Sequence, residues 1–318
     1  MISLFQYYRV IAAFLILLIH QQFWAKPLAL SRLTGVAVPL FAAMSGFLFA
    51  KTMASDFDFK VVFVKKARRI LIPYVIWAFL YWVANCVILD GVIKHEAIAV
   101  PGILSWFWGG TACHLWFLPC LFFAIMLFSI GAAVVNHLNS TRSICSIRIG
   151  MLAFDIVILV LAILSQFFQA TTSAAYTGYV KIYLGRLVFY FALGSLLNHI
   201  TVNSQLIAYI SGGMILIGFG NIMMNWVDGL VWSPLLLVTG LILVAIAKPD
   251  VALPQWVGKL ADASMGIYLV HVLLTSGANF ALSKACLSPL PTFMGFVLSM
   301  ALFVASYLAV RLLPRKFF

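Results

Sequence analysis

Residues 5–24 read FQYYRVIAAFLILLIHQQFW, an apolar run interrupted by one arginine, Arg9, and one histidine, His20. A helix needs about 20 mostly apolar residues to cross a bilayer, so this run predicts a membrane-spanning first helix. The small residues Ala29 and Ser31 lie ten residues beyond Ile19, after a polar and aromatic stretch. A signal-peptidase site follows its apolar run more closely, so we expect the helix to be retained.

The whole chain shares this apolar character. Of its 318 residues, 64% are hydrophobic and 9% are charged, and the mean hydropathy is +1.11. Soluble domains carry about 25% charged and about 45–50% apolar residues, and no soluble core could bury so much apolar surface. The composition therefore excludes a water-soluble enzyme and predicts a polytopic membrane protein.

Ten segments are long and apolar enough to span a membrane. They are 5–24, 34–51, 70–89, 115–136, 149–169, 182–199, 206–224, 230–247, 264–283 and 291–312. Little chain remains between them for a separate soluble domain. The sequence therefore predicts one all-α membrane domain over residues 1–318, a polytopic bundle of about ten transmembrane helices.

Basic residues in the connections predict the orientation of this bundle. The chain has 20 Lys and Arg against 8 Asp and Glu, and membrane proteins concentrate Lys and Arg in cytoplasmic loops. One side holds Lys51, Lys60, Lys65, Lys66, Arg68, Arg69, Arg142, Arg148, Lys248, Lys259, Arg311, Arg315 and Lys316. The other holds Lys26, Arg32, Lys94, Lys181 and Lys284. We therefore expect both termini in the cytoplasm, and the positive charge needs no nucleic-acid partner.

The five cysteines are odd in number and form no metal-type pair, so the sequence predicts neither a disulfide framework nor a metal site. They are Cys86, Cys113, Cys120, Cys145 and Cys286. A single cysteine in an apolar run is typical of a small hydrophobic side chain.

Arg9 and His20 form the most informative polar pair. A charge near the bilayer centre costs about 2.5–3.5 kcal/mol. Eleven residues span about 16 Å and close to three helical turns, so both side chains lie on one face. The pair predicts a water-filled cavity with a fixed cation near the cytoplasm and an imidazole towards the outer leaflet. Asp155 lies near the cytoplasmic end of its helix, where snorkelling or pairing with a basic loop accounts for it, and Arg186 lies one turn inside the outer face, where snorkelling accounts for it.

The distance between Arg9 and His20 suggests a chemistry. An anionic carrier held by Arg9 and by the basic connection after the second predicted helix can extend a thin arm to His20. Coenzyme A fits, with phosphates at one end and a thioester at the end of its pantetheine arm. A neutral imidazole can take a proton from an attacking hydroxyl or accept the acyl group itself.

Six short motifs occur in order along the chain. The first is Arg9 and His20, separated by ten residues. The others are VPLF and SGF at 38–41 and 45–47, KARRILIPY at 66–74 followed by Trp77, HLWFL at 114–118, GRL at 185–187 with Phe191 and Gly194, and SMGIYLVH at 264–271. With these motifs the chain resembles the acyltransferase 3 family of ten-helix integral membrane O-acyltransferases.

The resemblance implies transfer of an acyl group, most often acetyl, from cytoplasmic acyl-CoA to a hydroxyl of an envelope glycan. Known acceptors in the family include O-antigen, enterobacterial common antigen, exopolysaccharide and capsule. The implied location is the bacterial inner membrane. Acetyl-CoA is then a donor substrate, no cofactor is permanently bound, and membrane lipids surround the bundle, with a homo-oligomer left open.

The resemblance also gives roles to site residues. His20 is the catalytic base or acyl carrier, and Arg9 acts with it and binds coenzyme A. Arg68, Arg69 and Tyr74 are candidate coenzyme A contacts, although topology alone explains a basic cluster. The candidate acceptor contacts are His114, Trp116, Arg186, Tyr268 and His271. Trp116 fits an interfacial aromatic belt equally well, and His271 also fits a structural hydrogen-bonding role.

Two other functions stay open at this point. A transporter or flippase for an anionic or glycolipid solute would use Arg9 and Arg186 along its substrate path. A membrane scaffold or sensor would not need His20 at all.

Overall fold

The computed structural model describes residues 2–53, 57–84, 112–138, 144–169, 177–200, 204–226 and 232–314. Within these ranges the chain is helical and forms no strand, and one isolated bridge joins Trp24 to Leu290. Residues 85–89 of the third predicted span lie outside the described residues. So do Cys86, Lys94, Arg142, Arg315 and Lys316.

The helices are α1 (Ser3–Ile19), α2 (Leu28–Thr34), α3 (Ala37–Met53), α4 (Phe59–Lys66), α5 (Ile72–Val83), α6 (Phe117–Leu138), α7 (Ile144–Gln169), α8 (Thr177–Leu197), α9 (Ser204–Met224), α10 (Leu235–Ala247), α11 (Gln255–Asp262), α12 (Ser264–Lys284) and α13 (Thr292–Leu312). A π-helical segment, Ala67–Leu71, joins α4 to α5.

Six stretches of the described chain are helical, long and apolar enough to cross a membrane: Leu28–Thr52, Phe117–Leu138, Ser146–Ser165, Gln205–Met224, Ser264–Lys284 and Thr292–Leu312. Shorter apolar helices at Ser3–Ile19, Leu184–Leu197 and Leu235–Ala247 coincide with three further predicted segments. The all-α membrane class is thus confirmed. The total of ten spans and the cytoplasmic termini stay predictions.

Helix α1 lies inside the bundle, where it packs against α2, α3, α10, α11, α12 and α13. By contrast, α7 and α13 lie at the edge. Only 11% of the apolar window in Ser146–Ser165 and 22% of that in Thr292–Leu312 is buried. Apolar side chains such as Leu161 and Val304 are exposed there, as expected for helices that face lipid.

Helices α3 and α8 pack closely because glycine lies at both sides of their contact. A Cβ atom at Gly46 would overlap the carbonyl of Phe191, and one at Gly194 would overlap the carbonyl of Ala43. Small residues allow membrane helices to approach in this way.

Two buried polar side chains have partners that differ from the sequence expectation. Asp155 is fully buried and accepts a hydrogen bond from Ser195 Oγ at 2.8 Å, and its Oδ2 lies 3.2 Å from His199 Nε2. Arg186 is buried and donates to the Gly35 carbonyl at 2.6 Å. The expectation that they snorkel or pair with a basic loop is wrong, because both instead connect neighbouring parts of the bundle.

Candidate active site

Three histidines from distant parts of the chain meet at one end of α1. His20 follows α1, His114 lies in the turn before α6, and His271 is on α12. Their ring centroids are 5.8 Å apart for His20 and His114, 5.2 Å for His20 and His271, and 5.2 Å for His114 and His271. We call these residues the histidine cluster.

The end of α1 is held in place by bonds to its backbone. The Lys26 ammonium donates to the carbonyls of Leu18 and Gln21 at 2.7 Å each, and Asn279 Nδ2 donates to the His20 carbonyl at 3.3 Å. Leu18 lies in the last turn of α1, where carbonyls lack partners within the helix, and His20 and Gln21 follow the helix. These donors therefore stabilise the chain at the point where His20 projects. Burial lowers the pKa of Lys26.

His271 is oriented by its own helix. Its Nδ1 lies 2.7 Å from the Tyr268 carbonyl and 3.2 Å from that of Ile267. A carbonyl only accepts, so Nδ1 carries the proton and the neutral ring keeps its lone pair on Nε2. Nε2 is buried without a hydrogen-bond partner among the described residues. An incoming hydroxyl or amide N–H of a substrate can donate a hydrogen bond to it.

Two tyrosines hold His114. Their rings lie at 5.1 Å (Tyr81) and 5.4 Å (Tyr268) from its ring. The Tyr268 hydroxyl donates to the His114 carbonyl. The Tyr81 hydroxyl donates to the Leu269 carbonyl at 2.8 Å and accepts from the Leu273 amide at 3.1 Å, which ties α5 to α12 beside the cluster.

A cysteine adjoins the cluster. The Sγ atom of half-buried Cys113 lies 3.6 Å from His20 Nδ1. This is hydrogen-bonding distance for sulfur. Cys113 also lies within electrostatic range of the Tyr268 phenol.

Positive charge collects towards the other end of α1. Arg9 lies within electrostatic range of Arg69 and of Asp262, the last residue of α11. Arg69 also acts on Lys66, whose pKa is lowered by burial and by its neighbours Arg69 and Lys65. An open groove of about 600 Å³ is lined by Lys60, Val61, Val64, Lys65, Arg68 and Arg69.

The structure separates the remaining site candidates. Tyr74 is 1% exposed and lies within electrostatic range of Tyr268, so it belongs to the interior of the bundle while Arg68 and Arg69 are exposed. Trp116 is half-buried, with its ring 6.1 Å from that of Phe117. Arg186 lies at the connection between α2 and α3 through its bond to Gly35.

Sequence reasoning did not identify Cys113, Tyr81, Asn279 or Asp262 as site residues. In the sequence Asp262 and Asn279 are typical of polar side chains at the surface, and Tyr81 lies in an aromatic run. Cys113 directly precedes the HLWFL motif, and that adjacency was the one signal the sequence offered. Among the described residues, no group of three or more His, Cys, Asp and Glu side chains is arranged to hold a metal ion.

Comparison with protein families gives one match of direct relevance. The family model Acyl_transf_3, described as an acyltransferase domain, matches residues 4–310, which is nearly the whole chain and includes every member of the histidine cluster. Comparisons with curated proteins and with solved structures give no match. The family match confirms the resemblance seen in the motifs, and the chain belongs to the acyltransferase 3 family of membrane acyltransferases.

Proposed function

We propose that this protein moves an acyl group, most often acetyl, from cytoplasmic acyl-CoA to a hydroxyl of an envelope glycan in the bacterial inner membrane. One observation carries the proposal. Helix α1 has a basic group, Arg9, near one end and the histidine cluster at the other, about 16 Å away along the helix. Those two ends match the two ends of a coenzyme A thioester.

The donor binds with its phosphates at the basic end. Arg68 and Arg69 line an open groove, and Arg69 lies within electrostatic range of Arg9. Guanidinium groups bind phosphate through paired, charge-assisted hydrogen bonds. The pantetheine arm then follows α1 inward, past buried Tyr74, and brings the thioester to His20.

His20 acts on the attacking nucleophile. Its neutral ring takes the proton of the acceptor hydroxyl as the hydroxyl oxygen bonds to the thioester carbon. The bond from that carbon to the coenzyme A sulfur breaks, and the released sulfur takes the proton from His20. His271 supports this step by offering Nε2 to the acceptor, since its Nδ1 is committed to backbone carbonyls. Tyr268 and His114 line the same space. Trp116 stacks on the acceptor sugar, and Arg186 stabilises the α2–α3 connection through its bond to Gly35.

The test is made in cells that lack the protein. Envelope polysaccharides are extracted from a deletion strain complemented with wild type, His20→Ala or His137→Ala, and base-labile esters are counted by mass spectrometry and proton NMR. His137 is an exposed histidine at the end of α6 and serves as the matched control. We expect esters with wild type and His137→Ala, and none with equally expressed His20→Ala.

Two results would contradict the proposal. If the deletion strain keeps every ester, the chain does not carry out this transfer, and transport of an anionic or glycolipid solute becomes the better hypothesis. If His20→Ala restores the full ester content, transfer does not depend on His20.

A further inference from the structure

We propose that Cys113 is a covalent acyl carrier in this protein, with His20 as the base that activates its thiol. The inference rests on the proposed acyltransferase function and deepens it. It adds a covalent step on Cys113 before the acceptor reacts, and His20 then carries a proton in each of two successive transfers.

The contact between the two side chains carries the argument. Cys113 Sγ lies 3.6 Å from His20 Nδ1. In the tautomer with its proton on Nε2, His20 accepts a hydrogen bond from the thiol through Nδ1. A thiol next to an imidazole is the arrangement in which a side chain becomes a strong nucleophile, because the thiolate is the reactive form and the ring removes its proton.

The other described thiols lack this setting. Cys120 is on α6, where it is 2% exposed, and Cys286 is exposed beyond the end of α12. Cys113 is half-buried in the turn before α6, next to His114. It is therefore reachable by the end of a thin arm while being shielded from bulk water.

A thiol suits the donor. Moving an acyl group from coenzyme A to cysteine exchanges one thioester for another, so the step is nearly balanced in energy. Coenzyme A can then leave before the acceptor arrives. The two large substrates need not occupy the site together, since the acyl group waits on Sγ.

The first transfer conserves atoms and charge. The proton of the Cys113 thiol moves to His20 Nδ1, and Sγ attacks the thioester carbon. A new carbon–Sγ bond forms as the bond from that carbon to the coenzyme A sulfur breaks. The released sulfur takes the proton back from His20, giving free coenzyme A and a neutral ring.

The second transfer regenerates the enzyme. The acceptor hydroxyl gives its proton to His20, and its oxygen attacks the acyl carbon on Sγ. The ester bond forms, the carbon–Sγ bond breaks, and Sγ recovers a proton from His20. No oxidant or reductant takes part.

The direct test looks for acyl-enzyme in the purified full-length chain. Protein in lipid nanodiscs is incubated with radiolabelled acetyl-CoA and no acceptor, then denatured and treated with neutral hydroxylamine, which releases thioesters. We expect hydroxylamine-labile label on wild type and on Cys120→Ala, the matched control, and none on Cys113→Ala. Peptide mass spectrometry places the acetyl group on residues 112–117 of wild type. His20→Ala slows labelling about 100-fold or more.

Ester formation in cells separates this inference from the proposed function. If Cys113→Ala restores the wild-type ester content while His20→Ala does not, the acyl carrier is overturned and the acyltransferase stands. If wild type forms no ester, the proposed function itself fails. Cys113→Ser keeps the size and the hydrogen bond to His20, so a loss of esters in a stable Cys113→Ser protein supports the carrier even if Cys113→Ala folds poorly.

Discussion

The His20 imidazole has three chemically different neighbours: a thiol, the His114 ring and the His271 ring. Cys113 and His114 come from the turn before α6, and His271 comes from α12. We therefore expect substitutions of single side chains to separate proton transfer, acceptor binding and structural support, because each side chain of the cluster has its own role.

His271 offers a test of which ring nitrogen matters. His271→Asn keeps a donor near the position of Nδ1, which bonds the Tyr268 carbonyl, but removes Nε2. His271→Gln places its amide near Nε2. We expect His271→Asn to be expressed at the wild-type level and to melt at the wild-type temperature, but to transfer acyl groups about 100-fold more slowly. His271→Gln should retain more activity than His271→Asn. Equal activity of His271→Asn and wild type would show that only the Nδ1 bond is needed.

Arg9 should act on donor binding. Removing a charge-assisted hydrogen bond costs about 1.5–3 kcal/mol, so Arg9→Ala should raise KM for acetyl-CoA about tenfold or more, with a smaller change in kcat. Arg148→Ala is the matched control, since Arg148 is exposed on α7 on the same predicted side. Steady-state assays over a range of acetyl-CoA concentrations measure both constants. A fall in kcat at constant KM would argue against a phosphate contact.

We propose Lys66 as a further attraction for the donor phosphates, because it lies within electrostatic range of Arg69 and Lys65, which both line the groove. Its charge state should then make donor binding depend on pH. Burial and two cationic neighbours lower its pKa, so it loses its proton at a lower pH than an ordinary lysine. Because the neutral amine no longer attracts phosphate, acetyl-CoA affinity should weaken as pH rises through that lowered pKa. Lys66→Arg stays charged, and its affinity should remain flat over the same range. Parallel pH profiles for both proteins would rule out Lys66 as the source.

The Arg9 and His20 pair was predictable because both residues lie on one helix, where spacing sets direction. His114 and His271 were candidates for the acceptor site through the motifs, but their contact with His20 was not predictable. They approach it from a turn and a helix far away in sequence. Cys113 was not predicted as a site residue for a different reason. In an apolar chain the sequence does not distinguish a reactive cysteine from one that serves as a small hydrophobic side chain. Only the distance between Cys113 and His20 distinguishes them.

At the scale of elements, the contact between α3 and α8 depends on two glycines. Gly194→Ala would push a Cβ into the Ala43 carbonyl, and overpacking of this kind costs about 1–3 kcal/mol. We expect a lower melting temperature and less protein in the membrane. Gly213→Ala on α9 is the control, because nothing lies within 4 Å of its added Cβ. Identical melting curves for the two variants would contradict the close contact.

The sequence predicted where most helices occur but missed the shorter elements. Helix α1 ends at Ile19 and not at residue 24, and Lys26 folds back to donate to the carbonyl of Leu18 in its last turn and to that of Gln21 beyond its end. The π-helical segment Ala67–Leu71 was not expected either. Hydropathy measures apolar length, whereas such ends and irregular turns depend on single backbone bonds. The segment holds Arg68 and Arg69, in line with the frequent use of π-helical turns at functional sites.

At the scale of the whole molecule, exposed apolar side chains on α7 and α13 fit a bundle surrounded by lipid. Its orientation is a prediction that rests on the loop charges alone. Cys286 is exposed after α12, in a connection predicted to face away from the cytoplasm. In chains that keep a single cysteine, a membrane-impermeant maleimide should therefore label Cys286 in intact spheroplasts but leave Lys248→Cys unlabelled until the cells are opened. Labelling in the reverse order would invert the predicted topology.

The meeting of His20 with His271 also has a consequence for how the protein is made. His20 follows α1 and His271 lies on α12, far later in the chain, so α1 enters the membrane long before α12 has been synthesised. Catalytic competence thus arises only after α12 has been made. A chain halted before α12 would sit in the membrane with an unfinished site, unable to consume acyl-CoA.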